Sequence, residues 1–539
     1  MRRSSSLTRL AVLTLATTAL IACGGDARDD MDATSTTFGS GDGDGDGDGD
    51  GDDSGERLDI GNGGLDLPNE GSCTVNPDGN GVGHCEDVAP PDSFDADVQW
   101  SWTGDPDKYA VAIPLVANLT DDDGSGTIDL CDVPDIVVQA FTDFNNPPLP
   151  GHLYVLDGAT GNVHTMFDRE IKHMAGPAIA DLDEDGTPEI ITMTFDRHLT
   201  AFEPDGSIHW ESEQFVDSYH GSAVAVADVD NDGHPEILYD GRLYDYEGNL
   251  LQDFGQWNMV SNAPLLADLD GDGDQEIVYG HRAYHHTGQL VYANPNLATG
   301  QVGVADFDLD GEPEIIYPNY DGLAMLEADG SIIYQGLTPT GDDTGAINWA
   351  RPPTVHDFDA DGAPEFASSS AAHYSVFEAD ASILWTADVV DDSGLAAGTA
   401  FDFLGDGTPE AMYADEHNLF VYDEFGGVLM QVPRHSRTLR EYPVVADVDN
   451  DGSAEIVVVS NETTSNETGS PTVQVIRDKE DRWIQARRIW NQHTYHVTNV
   501  REDATIPQFE VPNWAELNTY RVNAQISKGG GVCKPKPQG

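Results

Sequence analysis

One phrase, Ala227-Asp228-Val229-Asp230-Asn231-Asp232-Gly233-His234-Pro235-Glu236-Ile237, recurs along this chain and limits what the chain can fold into. Copies begin at Asp181 (DLDEDGTPEI), Asp268 (DLDGDGDQEI), Asp306 (DFDLDGEPEI), Asp357 (DFDADGAPEF) and Asp447 (DVDNDGSAEI). A worn copy begins at Asp402 (DFLGDGTPEA), and a distorted, expanded one lies near Asn118 (NLTDDDGSGTIDLCDVPDI). Eight copies spaced about 40 to 60 residues apart mean one supersecondary unit repeated.

The phrase has the chemistry of a calcium loop. Oxygens at positions 1, 3 and 5 converge on one ion when the chain curls tightly, a glycine at position 6 permits the turn, and a carboxylate at position 9 closes the shell. The candidate ligands are Asp181, Asp183, Asp185 and Glu189; Asp228, Asp230, Asp232 and Glu236; and Asp268, Asp270, Asp272 and Glu276. The same positions hold Asp306, Asp308, Asp310 and Glu314; Asp357, Asp359, Asp361 and Glu365; and Asp447, Asp449, Asp451 and Glu455. The plainer alternative is an Asp-Gly surface turn without an ion. A turn does not need acids at four fixed offsets, and such clustered charge is costly unless neutralised. Short apolar runs of strand length follow each loop (EIITM, EILY, EIVY, EIIY, EIVVV), so the loops join strands.

Each unit continues with a third run (HLYVLD, HLTAFE, RLYDYE, GLAMLE and their kin), a Gly turn, and a fourth run often ending in an aromatic (SIHW, QLVY, SIIY, SILW). Four short strands per unit predict an all-β chain of propeller blades, seven or eight of them. The run VQWSW (98–102) reads as a fourth strand without its first three, and the last repeat ends in a lone TVQVI. One blade built from both chain ends accounts for both facts.

The D-x-D-x-D-G-x-x-E loops resemble those of FG-GAP/VCBS repeats, which form the propeller of integrin α subunits. The resemblance covers about residues 110 to 480. It implies Ca²⁺ held between the first two strands of each blade, with partners met on a face or side of the propeller. Two copies depart from the pattern. Leu404 replaces the position-3 acid of the Asp402 copy, and an insertion carrying Cys131 leaves the ligands of the first copy undetermined.

Residues 1–23 read as a signal peptide, with Arg2, Arg3 and Arg9 before an apolar core. Leu20-Ile21-Ala22-Cys23 resembles a bacterial lipobox, which implies lipidation of Cys23; Gly24 after it resembles outer-membrane sorting. Residues 24–70, with Gly-Asp alternation over 41–53, read as an extended tether. A small Cys-containing segment (71–95) precedes the propeller (96–500) and a closing segment (501–539). In an exported chain Cys73, Cys85, Cys131 and Cys533 allow three pairings. A local Cys73–Cys85 loop is favoured, which leaves Cys131–Cys533.

The tail from Trp483, with Arg482 just before it, gathers Arg487, Arg488, Arg501 and Arg521 and is expected to belong to the closing blade. His493 and His496 there read as packing residues, as do His173, His220 and His356 before the loops.

With 25 Lys+Arg against 97 Asp+Glu the formal charge is −72, which argues against a nucleic-acid partner, whose phosphates would be repelled. The expectation is a lipid-anchored, calcium-stabilised binding or adhesion module at the cell surface, meeting protein or glycan and touching the membrane only through its lipid. Alternatives are a propeller enzyme acting on polysaccharide or using a quinone, and a structural envelope protein. No residue pattern marks a catalytic centre.

Overall fold

The chain is seen in a computed structural model that describes residues 73–75, 82–142, 150–216, 222–255, 263–345, 348–391, 393, 395–461, 470–527 and 531–535. The signal peptide, Cys23, the tether and His220 lie outside the described residues.

The fold is an eight-bladed β-propeller of antiparallel four-stranded blades. Blade 1 is built on Leu115–Ala117, Asp135–Phe141, Pro150–Asp157 and Val163–Met166, with short strands Tyr109–Ala110 and Ile171–Lys172 added to it. Blades 2 to 7 follow in strict chain order, starting at Ala178, Ala225, Leu265, Gly303, Thr354 and Gly398. Blade 8 takes Val444–Ala446, Glu455–Val459 and Val473–Asp478 from the end of the repeats and Ala96–Trp102 from their start. Both chain ends therefore close the ring, as the orphan runs predicted, and they do so at eight blades. A closed ring leaves only short, protected edges.

Burial follows strand order. The first strands, such as Ala178–Ala180 and Val444–Ala446, are wholly buried, whereas fourth strands such as Ile208–Phe215 face solvent at most positions. The fourth-strand aromatic has a defined seat. Trp210 of blade 2 lies over Gly248 in the turn before the fourth strand of blade 3, and Trp385 of blade 6 lies likewise over Gly426 of blade 7. A Cβ on Gly248 would stand 2.5 Å from the Trp210 ring, and its φ of +82° also favours glycine.

The two disulfides are Cys73–Cys131 and Cys85–Cys533, so the favoured pairing is overturned. Gly83–His84 runs parallel to Cys533–Lys534 and draws Cys85 to the chain end. Cys73 is held at the insertion of blade 1, where its carbonyl accepts the Leu130 N–H at 2.8 Å.

The tail also departs from expectation. Residues 483–526 add no strand to the closing sheet. They cross the first strands of blade after blade instead. Trp490 exchanges backbone hydrogen bonds with Val116, and the Asn491 carbonyl accepts from Ile179. Gln492 takes the Val226 N–H, Tyr520 pairs with Val355, and Thr399 donates to the Arg521 carbonyl. Trp490 and Tyr495, stacked 4.5 Å apart, are fully buried. The tail is thus a plug that fills the middle of the ring.

Candidate metal centres

Every acidic loop joins the first and second strands of its blade, and the closing acid is in each case the first residue of the second strand. The register is constant: Ala180 faces Glu189, Ala227 faces Glu236, Ala267 faces Glu276, Ala305 faces Glu314, His356 faces Glu365 and Ala446 faces Glu455. All twenty-four sequence-predicted ligands therefore lie on one rim, four to a loop.

Backbone hydrogen bonds set the loop. In blade 6, Asp357 accepts the N–H groups of Asp361 (3.0 Å) and Gly362 (2.9 Å). Asp361 accepts from Ala363 at 2.9 Å, and Glu365 Oε2 from Phe358 at 2.7 Å. The pattern repeats in blades 2, 3, 5 and 8 at Asp181, Asp228, Asp306 and Asp447. In blade 4 Asp268 accepts from Gly271 and Gly273. One oxygen of each closing Glu is pinned in the same way, while the other oxygen of Glu276 meets His285 at 2.8 Å. Ligand oxygens of Asp357, Asp359, Asp361 and Glu365 all lie within 4.8 Å of one another. In blade 8 the second oxygen of Glu455, fully buried, receives no hydrogen bond.

Two residues per loop take left-handed backbone. Position 6 is always glycine, with φ of +88° at Gly186 and +97° at Gly362. Position 4 reaches the same region with Asn231 and Asn450, which tolerate it, and with Glu184, Leu309 and Ala360, side chains that seldom accept it.

Electrostatics follow from this crowding. Burial, helped by neighbouring carboxylates, pushes Glu189, Glu236 and Glu365 up to about 8, and Glu276 and Glu314 to about 7. Asp181, Asp228 and Asp357 rise to about 6 from the same causes. Such sets suit a hard cation, which would hold all four acids ionised.

The worn copy keeps its shape without its position-3 acid. Asp402 still accepts from Asp406 and Gly407, and Glu410 from Phe403. Leu404 instead packs with Ala89 and Phe403, and its carbonyl accepts the Ala89 N–H at 2.7 Å. The substitution seats the N-terminal segment on the rim.

Blade 1 resolves the distorted copy. Ala117 faces Asp135, and Asp135 Oδ2 accepts the Leu119 N–H at 3.0 Å, so Asp135 stands where the other blades have glutamate. The insertion displaces a loop to Asp121-Asp122-Asp123-Gly124-Ser125-Gly126-Thr127-Ile128-Asp129. Its Gly124 and Gly126 are left-handed at positions 4 and 6, and Asp121 accepts from Gly126 at 2.9 Å. Asp122, Asp157 and His164 then gather beside Asp135. Sequence reasoning missed this group, although D-x-D-x-S-G-x-x-D was readable three residues downstream of Asn118.

The histidines outside blade 1 have local duties. His209 and His285 are bonded to Glu203 (2.7 Å) and Glu276 (2.8 Å). His493 Nδ1 lies 3.2 Å from Arg521 Nη2, and His496 Nε2 lies 2.5 Å from Glu510, so the two are held apart by separate partners. Burial lowers His356 to about 4, and His173 packs edge-on against Phe141.

Comparison with known proteins agrees with the repeat reading over part of the chain. Residues 181–239 match the FG-GAP-like repeat family. The Vibrio cholerae (V. cholerae) biofilm matrix protein Bap1 has a similar fold, with a TM-score of 0.70 at 20% identity over 82% of this chain and 100% of that one. A rhamnogalacturonan lyase of Bacillus licheniformis reaches 0.48 at 16% identity (85% and 82% covered). The quinohemoprotein alcohol dehydrogenase of Comamonas testosteroni reaches 0.46 at 13% (77% and 80%). No curated protein matches by sequence. At these identities the likeness is one of fold.

Proposed function

We propose that this protein is an exported, calcium-stabilised propeller that binds protein or glycan outside the cell, anchored at the outer membrane or cell surface by a lipid on Cys23. The observation that carries the calcium reading is the repeated closing acid, pinned through one oxygen beside its loop, with all four acids of blade 6 gathered within 4.8 Å. The buried oxygen of Glu455 that receives no hydrogen bond fits a cation ligand. Asp, Asp, Asp and Glu of each intact loop would hold it, and a bound Ca²⁺ supplies charge neutralisation that ties the first strand of a blade to its second.

Export is supported by two disulfides, which persist in oxidising compartments. No helix of the described residues is long and apolar enough to cross a membrane. A binding role is supported by the plug, whose buried Trp490, Tyr495, Arg487 and Arg521 occupy the middle of the ring and leave rims and sides for partners. The fold shared with a biofilm matrix protein points the same way.

The test is metal analysis and thermal unfolding of the oxidised chain in excess Ca²⁺ and after chelation, followed by binding to immobilised extracellular polysaccharide and matrix protein in both states. About six or seven bound ions, a large midpoint shift and calcium-dependent binding support the reading. No bound metal and no shift would reduce the loops to acidic turns and remove it.

A further inference from the structure

We infer that blade 1 carries a second kind of metal site, for a divalent transition ion such as Zn²⁺, on His164, Asp135, Asp157 and Asp122. The reading rests on how these four groups are held. His164 Nε2 lies 3.5 Å from Asp135 Oδ1 and 3.6 Å from Asp157 Oδ2, beyond hydrogen-bond reach of either. Ligands at about 2.0–2.1 Å from an ion, set at tetrahedral angles, stand about 3.3–3.4 Å apart. The spacing is that of neighbours around an ion.

Each carboxylate has one oxygen fixed and one offered. Asp135 Oδ2 takes the Leu119 N–H, while its Oδ1, on a side chain with no exposure, receives no hydrogen bond. Asp157 Oδ1 takes the Thr160 N–H at 2.6 Å, which leaves Oδ2 toward the imidazole. Thr120 Oγ1 stands 3.2 Å from Asp122 Oδ2 and 3.0 Å from Asp135 Oδ2, bracing the fourth group. Supporting bonds of this kind orient metal ligands.

The contrast within the ring is informative. In blade 2 the corresponding histidine, His209, makes an ordinary hydrogen bond at 2.7 Å to Glu203. In blade 1 the calcium-type turn has shifted to 121–129, and the closing acid Asp135 faces His164 and Asp157 across gaps too long for hydrogen bonds to the imidazole. Imidazole favours zinc and its neighbours in the first transition row, whereas calcium takes oxygens.

The full chain, disulfides intact and stripped of metal, is titrated with Zn²⁺ in saturating Ca²⁺, so that the all-oxygen loops are not competing. The readouts are isothermal titration and bound-metal analysis; Co²⁺ absorption in the visible reports a tetrahedral site. The expected result is one Zn²⁺ that His164→Ala weakens at least about 100-fold, beyond what losing a mere supporting residue costs. His164→Ala should also abolish the Co²⁺ band and leave the melting midpoint in Ca²⁺ within a degree or two of the parent. Asp157→Asn, on the same exposed hairpin, should weaken binding too. Equal Zn²⁺ binding by parent and His164→Ala, or none by the parent, would overturn the assignment and leave a histidine–aspartate contact. Neither outcome bears on calcium, which is present throughout.

Discussion

Removing calcium should reverse the sign of the pH dependence of stability. Without a cation, Glu189, Glu236 and Glu365 sit near 8 in the folded chain against an ordinary 4.5, and Glu276 and Glu314 near 7. Between about pH 4.5 and 8 the folded state then keeps protons that the unfolded chain has released, so stability falls as pH rises. A rise from 4.5 to about 8 is worth about 5 kcal/mol at about 1.4 kcal/mol per pH unit. The loops face solvent on one side, and screening brings the figure to about 2 kcal/mol per loop. Over five loops that rivals the roughly 5–15 kcal/mol by which a whole protein is stable. With calcium bound the same acids are ionised when folded, so their stabilisation is present above the unfolded value and lost as pH falls through the folded one.

The assay is urea unfolding followed by tryptophan fluorescence, at about pH 5 to 8.5, in metal-free buffer and in excess Ca²⁺. The midpoint should fall with pH in the first series and rise or hold in the second. Glu365→Gln supplies the internal check, because it removes a charge without removing bulk. It should stabilise the metal-free protein at pH 8 by about 1–2 kcal/mol and destabilise the calcium form. A metal-free midpoint that climbs with pH, or a Glu365→Gln effect of one sign in both series, would refute the argument.

Other outcomes follow from the same structure. Trp490→Ala removes a fully buried ring from the plug and should cost about 3–5 kcal/mol in urea unfolding. Replacing Cys85 and Cys533 with serine frees a pair 448 residues apart and should cost about 2–5 kcal/mol; limited proteolysis should then clip the tail before the blades. Gly362→Ala forces a Cβ onto a φ of +97° and should lose about 1–2 kcal/mol together with calcium affinity at that loop. Leu309→Gly should be neutral or stabilising by thermal melting, because Leu309 is exposed and already at +61°.

The ring was legible because its information is local and repeated. Each acidic phrase is a hairpin whose closing residue, Glu189 or Glu455, begins the second strand, and eight such hairpins point to a ring of seven or eight blades without knowledge of any distant contact; the closed sheet order settles eight. The closing blade was legible for the same reason: VQWSW lacks three strands and TVQVI lacks one. The ligand set of blade 1 was hidden by three residues of slippage. The closing acid is identified only by pairing Asp135 with Ala117, and His164 comes from two strands further on.

The tail and the disulfides were illegible because both depend on distant contacts of segments with no repeat of their own: the tail meets the first strands, and the cysteines before the propeller meet the blade 1 insertion and the tail. Composition marked the tail as different but not where it goes. Its arginines explain why it can enter a ring of first strands at all. Arg487 donates to the Tyr495 hydroxyl and to the Val497 and Val500 carbonyls, and Arg488 pairs with the buried Glu502 at 2.9 Å. A segment that leaves the sheet has no ladder to satisfy its backbone, and buried carbonyls left unpaired are costly. The guanidinium groups take up part of that burden, so the basic residues gathered here serve the irregular backbone of the plug. The same need accounts for the Cys85–Cys533 bond, which ties the far end of the plug to the segment leading into the outer strand of blade 8 and limits how far an irregular segment can withdraw.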